Sequence, residues 1–151
     1  MTHTRLQAVV TAGAFSIAIA ACGSSGSRGL SRSELITKAN AICSTARTAV
    51  NAIPTPSSFQ DALAAGYFDR LTPIVDKETV GLKALKPDSS VSADWNAFVA
   101  LRLSQTSLLD TVRHKADTKD PSSIRDLQTA QAGGKQLTDA AGKFGADGCA
   151  K

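Results

Sequence analysis

The chain has 151 residues, of which 42% are hydrophobic and 20% charged, with 17 Lys+Arg against 13 Asp+Glu. Length allows one domain of ordinary size and excludes a multidomain enzyme, while composition excludes collagen-like, low-complexity and highly charged disordered classes. Two histidines and three cysteines leave few groups for metal binding, nucleophilic catalysis or proton transfer near neutral pH, so no metal, cofactor or catalytic set is expected.

The amino terminus reads as an export signal. Arg5 supplies a positive charge ahead of residues 6–21, which carry none. As a helix that run spans about 24 Å, short of the roughly 30 Å hydrocarbon core of a bilayer. Thr11, Gly13 and Ser16 make it less apolar than a stable anchor, so a cleaved signal peptide over residues 1–21 fits better than a membrane span. Ile19, Ala20, Ala21 and Cys22 resemble the lipobox of bacterial lipoproteins, an aliphatic residue and two small ones before the cysteine that becomes the first residue of the mature protein. The resemblance implies that Cys22 carries a diacylglyceryl group. Two acyl chains give stable anchoring where one gives only marginal binding, so the partner at this end is a membrane and the location is its outer, extracytoplasmic face. An ordinary secretory signal with a chance cysteine and an uncleaved signal anchor are the alternatives.

Residues 22–30 include Gly23, Ser24, Ser25, Gly26, Ser27 and Gly29 and read as a flexible tether about 15 Å end to end. Residues 31–151 form one domain, helical throughout. Ser31 followed by Glu34 is a capping-box pattern, after which Leu35, Ile36, Ala39, Ile42, Cys43, Ala46, Val50 and Ile53 recur at three- and four-residue steps until Pro54. A second helix begins after Ser57 or Ser58 and runs to Lys86, with Phe59, Leu63, Tyr67, Leu71, Ile74, Glu78, Leu82 and Leu85 as its stripe. Pro73 lies inside it, which predicts a kink there, with two shorter helices as the alternative. A third helix follows the Asp88, Ser89, Ser90, Ser92 cluster and carries Trp95, Phe98, Leu101, Leu108 and Val112. Asp120 and Pro121 launch a fourth, with Ile124, Leu127, Leu137 and Phe144 in its stripe and Gly145 closing it. Four helices of about 22 to 29 residues with short connections predict an all-α, up-down-up-down four-helix bundle.

Cys43 and Cys149 are the pair that remains once Cys22 is lipidated, and in such a bundle the end of the fourth helix reaches the start of the first. A structural disulfide is the favoured reading, against a redox pair or metal ligands, for which no Cys-x-x-Cys spacing exists. Ala39, Asn40, Ala41, Ile42 and Cys43, then Leu71, Thr72, Pro73 and Ile74, then Trp95, then Phe144, Gly145 and Cys149 together resemble a family of small exported helical proteins and lipoproteins of actinobacteria. The family often has an acidic residue where this chain has Asn40. The resemblance implies an extracytoplasmic helical domain with a Cys43–Cys149 disulfide, and no activity.

Motifs with a catalytic mechanism are absent: no phosphate-cradling glycine loop, no zinc-protease helix, no nucleophile elbow and no calcium loop. His114, with Asp110 one turn before it, reads as a solvated residue near a helix end. Asp76 and Glu78 are two apart and do not share a helix face. Arg113, Lys115 and Lys119 alternate with Asp110, Asp117 and Asp120, so no single-sign stripe points to nucleic acid. The fourth helix presents Ala130, Gly133, Gly134, Ala140 and Ala141 where its neighbours present larger residues. Close helix approach is one account. A groove lined by Phe59, Leu63, Tyr67, Trp95, Phe98 and Gly134 that admits an apolar ligand is the other. The function expected is a non-catalytic binding or interaction module of the cell envelope, with an unidentified envelope protein as partner. A carrier of an apolar ligand or lipid in the bundle interior and an envelope enzyme are the alternatives.

Overall fold

Ser31 starts the first helix as its spacing predicts: its backbone N–H donates to the Glu34 carboxylate at 2.8 Å and its hydroxyl to the same oxygen at 2.7 Å. Those bonds hold the Glu34 carboxyl below its ordinary range. The computed structural model describes residues 29–64 and 66–150. The expected leader 1–21, the lipidation residue Cys22 and the tether up to residue 28 lie outside the described residues.

Five α-helices follow in chain order: α1 Arg32–Asn51, α2 Phe59–Ala64, α3 Tyr67–Ala84, α4 Ser92–Asp117 and α5 Ser123–Phe144, then a 3-10 turn, Asp147–Cys149. No strand accompanies them among the described residues, only an isolated bridge between Leu30 and Pro87. The domain is therefore a helical bundle, with the Cys43 and Cys149 sulfurs at the 2.01 Å distance of a disulfide.

The second predicted helix divides in two, but not at Pro73. Pro73 sits inside α3, and the break falls at Gly66, whose φ of 59° is the left-handed conformation that ends a helix and favours glycine. The apolar stripe continues across that break, which is why periodicity alone reads the two segments as one. Gly29 and Leu30, expected at the end of the tether, contact the segment between the third and fourth α-helices. Leu30 donates its N–H to Lys86 O at 2.7 Å and accepts from Asp88 N–H at 2.9 Å. A Cβ on Gly29 would lie 2.2 Å from the Pro87 carbonyl oxygen, so both residues belong to the folded unit.

Helix ends elsewhere follow local chemistry. The Asp88 carboxylate accepts the Ser90 N–H at 2.8 Å and hydroxyl at 2.6 Å ahead of α4. Asp120 accepts the Ser122 N–H at 2.8 Å ahead of α5. Gly145 closes α5 at φ 93°, with its own N–H and that of Ala146 bonded to Ala141 O.

Helix α4 packs most extensively on α5, then on α3; α3 also packs on α1, and α2 packs on α3. The main core joins α1, α3, α4 and α5 through Leu35, Leu82, Trp95, Phe98, Val99 and Phe144. Trp95 is 1% exposed, its ring 5.5 Å from Phe98 and 5.3 Å from Phe144. A second, smaller core gathers Ala62, Phe68 and Val112, with Phe59, Leu63, Tyr67, Leu71 and Leu127 against it. Between the two along α3 and α4 runs a polar layer. The buried Thr79 and Thr106 hydroxyls share a hydrogen bond of 2.9 Å, and Glu78 is buried beside them in sequence.

The last five residues before Ala150 run back along α1. Arg32 donates to the Lys143 and Phe144 carbonyls at 3.1 Å and lies 4.9 Å over the Phe144 ring. Further on, the Asn40 side chain accepts the Gly148 N–H at 2.8 Å. The Asn40 side chain is thus an acceptor that pins the turn carrying Cys149.

Candidate functional site

Two concave features adjoin Glu78, both open to the surface. The first is a groove of about 500 Å³ between α1 and α3, walled by Ile42, Ala46, Ala49, Ile74 and Gly81, with Thr45, Lys77 and Glu78 as its polar members. Helical spacing builds it. Ile42, Ala46 and Ala49 fall at four- and three-residue steps on α1, and Ile74, Glu78 and Gly81 do the same on α3. Small residues hold the groove open: a Cβ at Gly81 would already lie 3.3 Å from Ile42. Pro73, with its ring exposed, lies at its edge.

The second is an open pocket of about 250 Å³ whose lining includes Ala46, Arg47, Glu78, Arg102, Gly148 and Cys149. Arg102 of α4 donates through Nη2 to the Glu78 carboxylate, and Arg47 of α1 donates through Nη2 to the Gly148 carbonyl. Burial holds the Glu78 carboxyl above its ordinary range, against the pull of the Arg102 and Arg47 guanidiniums. The Nε atoms of both arginines are buried without a hydrogen-bond partner. Glu78 falls in the apolar stripe of the second predicted helix, and neither arginine carries a comparable signal in the sequence. The stripe was the available signal, since a carboxylate at a core-facing position requires a buried partner.

The six residues expected to line one groove are not brought together. Phe59, Leu63 and Tyr67 join the smaller core with Phe68, whereas Trp95 and Phe98 fill the main one. Gly134 faces neither, because a Cβ there meets no atom within 4 Å. The glycine at which α5 comes close to α4 is Gly133, where an added Cβ would fall 1.9 Å from Gln105 Nε2. The interior that the groove would have occupied is filled by Trp95, Phe98, Leu35, Leu82 and Val112, all less than 2% exposed.

The other charged groups are exposed or paired near the surface. His114 is exposed in the last turn of α4. Asp126 pairs with Lys115 at 2.6 Å and Asp69 with Arg113 at 2.9 Å. No group of three His, Cys, Asp or Glu side chains stands ready for a metal ion among the described residues. None of the described helices is long and apolar enough to cross a membrane. Comparison of the chain with family models, with curated proteins and with solved structures finds no match.

Proposed function

We propose that this chain is a lipid-anchored, extracytoplasmic lipoprotein whose domain, an up-down-up-down four-helix bundle of α1, α3, α4 and α5, binds an apolar ligand without catalysis. The carrying observation is the groove between α1 and α3. Its volume of about 500 Å³ falls within the roughly 300–1,000 Å³ typical of small-molecule sites, and its walls are aliphatic with few polar groups. A concave, size-limited slot suits an acyl chain or similar apolar body better than the flat patch typical of a protein interface. The carrier reading thus moves from the bundle interior to the outer face. Leu82 clusters with Trp95 at one end and Phe68 with Val112 at the other, which supports antiparallel α3 and α4, and the residues Ile19 to Cys22 support the anchor.

Two measurements test the two halves of this reading. Cys22→Ser should move the protein from the membrane fraction to the medium, and an unchanged partition would remove the anchor from the proposal. A benzophenone side chain introduced at Ala49, in the groove, should give a cross-linked species on irradiation of intact cells, whereas the same group at the exposed Ala100 of α4 should not. Mass spectrometry of the product is expected to show a small apolar adduct. A protein adduct would replace the carrier with an interaction module, and equal labelling at both positions would dismiss the groove.

A further inference from the structure

The groove between α1 and α3 carries a charge that its aliphatic walls do not call for. We propose that it takes a fatty acid in its ionised form, the hydrocarbon tail lying over the small residues of α1 and the carboxylate held by the Lys77 ammonium. The inference rests on the reading of this groove as an apolar-ligand site and adds the class of ligand.

Lys77 is exposed on α3 and lines the groove. The residues one turn away on its face are Pro73, Ile74, Val80 and Gly81, none of them acidic, and Val80 is itself 68% exposed. Across the groove Gly81 abuts Ile42, and the same register counted one turn along each helix sets Ala46, with Thr45 beside it, opposite Lys77. The Thr45 hydroxyl donates to Ala41 O at 2.9 Å, which leaves it only acceptor lone pairs. Glu78, the one carboxylate on the lining, is engaged by Arg102 Nη2 from α4. The ammonium is therefore the one charged donor on the groove wall without a carboxylate partner among the described residues. Charge complementarity asks for an anionic end on an otherwise aliphatic body.

The walls also set how the tail lies. At the Gly81 end the Ile42 side chain already crowds the space beside the glycine, whereas toward Pro73 the α1 wall is Ala46 and Ala49. A lysine stem covers apolar surface while its ammonium reaches water, so the carboxylate sits at the rim and the tail runs below it toward Pro73. From Pro73 to Gly81 the groove is about 12 Å long, a slot for a single chain, and one lysine matches one negative charge. A phosphate head is better served by the arginine fork, which this groove lacks. Cys22 lies seven residues before Gly29, at most about 25 Å of chain, so the anchor proposed above keeps the groove close to a bilayer, where acyl chains are found.

The test uses the full chain in membranes from cells that produce it, at about pH 8, where a carboxyl is ionised. Dodecanoic acid, dodecanol and dodecyl phosphate, each with a diazirine on the tail, are added separately and irradiated, and labelling of α1 and α3 is read by mass spectrometry against the mole fraction of probe in the membrane. The acid should label both helices saturably and at the lowest mole fraction. In Lys77→Gln its half-saturating value should rise roughly fivefold to tenfold, with that of dodecanol unchanged, and Lys77→Arg should restore it. Ala49→Phe, which fills the groove, should reduce labelling by all three probes. Dodecanol labelling as tightly as the acid, or an acid response unchanged by Lys77→Gln, would overturn the fatty acid and leave the apolar groove standing. Tightest labelling by dodecyl phosphate would overturn the carboxylate in favour of a phosphate head. Labelling by no probe, or labelling indifferent to Ala49→Phe, would overturn the groove reading itself.

Discussion

Replacing Cys43 and Cys149 together by serine should lower the stability of the domain by about 4 to 5 kcal/mol, the chain-entropy value for a loop near 100 residues. The two residues are 106 apart in sequence, so the bond removes conformations from nearly the whole unfolded chain. For a domain of this size the loss corresponds to a fall in unfolding temperature of about 15 °C. Thermal unfolding with and without a reductant measures the same quantity on the wild type, and a shift of only a degree or two would show that the bond does not constrain the unfolded chain. The double substitution is preferable to either single one, which leaves a thiol free to pair elsewhere.

Trp95→Ala should cost about 3 to 5 kcal/mol, the range for truncating a large buried aromatic. The indole is in contact with Phe98 one turn on and with Phe144 from the end of α5, so its loss opens a void shared by two helices. Both rings would also lose a tilted aromatic partner. Urea unfolding at 25 °C, with the disulfide intact, is the measurement. A change below about 1 kcal/mol would mean that the main core repacks around the gap, which is not expected at interior packing density. The Phe144 ring also lies under Arg32 at 4.9 Å, which ties the damage to the start of α1.

The parts of this fold that local chemistry determines were legible in the sequence. Ser31 with Glu34, the prolines after Ile53, the Asp120 and Pro121 pair and Gly145 each act within one turn of chain, and each marks an end close to where a helix starts or stops. The pairing of Cys43 with Cys149 was legible by elimination and reach. What depends on register between helices was not. Gly66 breaks the second predicted helix because it takes a left-handed conformation, and an apolar stripe carries no mark of that. Gly133 and Gly134 are indistinguishable in sequence, yet one approaches Gln105 and the other faces open space. The aromatic residues predicted to share a groove divide between two cores, since the sequence orders them along helices without stating how far each helix slides against the next. Arg47 and Arg102 lie 55 positions apart on separate helices, and only their common pocket connects them.

The bridge at Leu30 and the disulfide together determine how the domain bears a pull along its chain. Tension arriving from the amino terminus meets two hydrogen bonds first, from Leu30 to Lys86 and Asp88, and so is delivered to the corner between α3 and α4 as well as to α1. Were that clasp to open, α1 could unravel only as far as Cys43. Beyond it the load passes through sulfur to Cys149, and α2, α3, α4 and α5 lie inside the closed covalent loop. The extensible length is then about 14 residues, or roughly 50 Å of extended chain, and the walls of the Arg47 pocket on α3 and α4 are shielded from the force. The disulfide is thus a mechanical shunt as well as a thermodynamic staple.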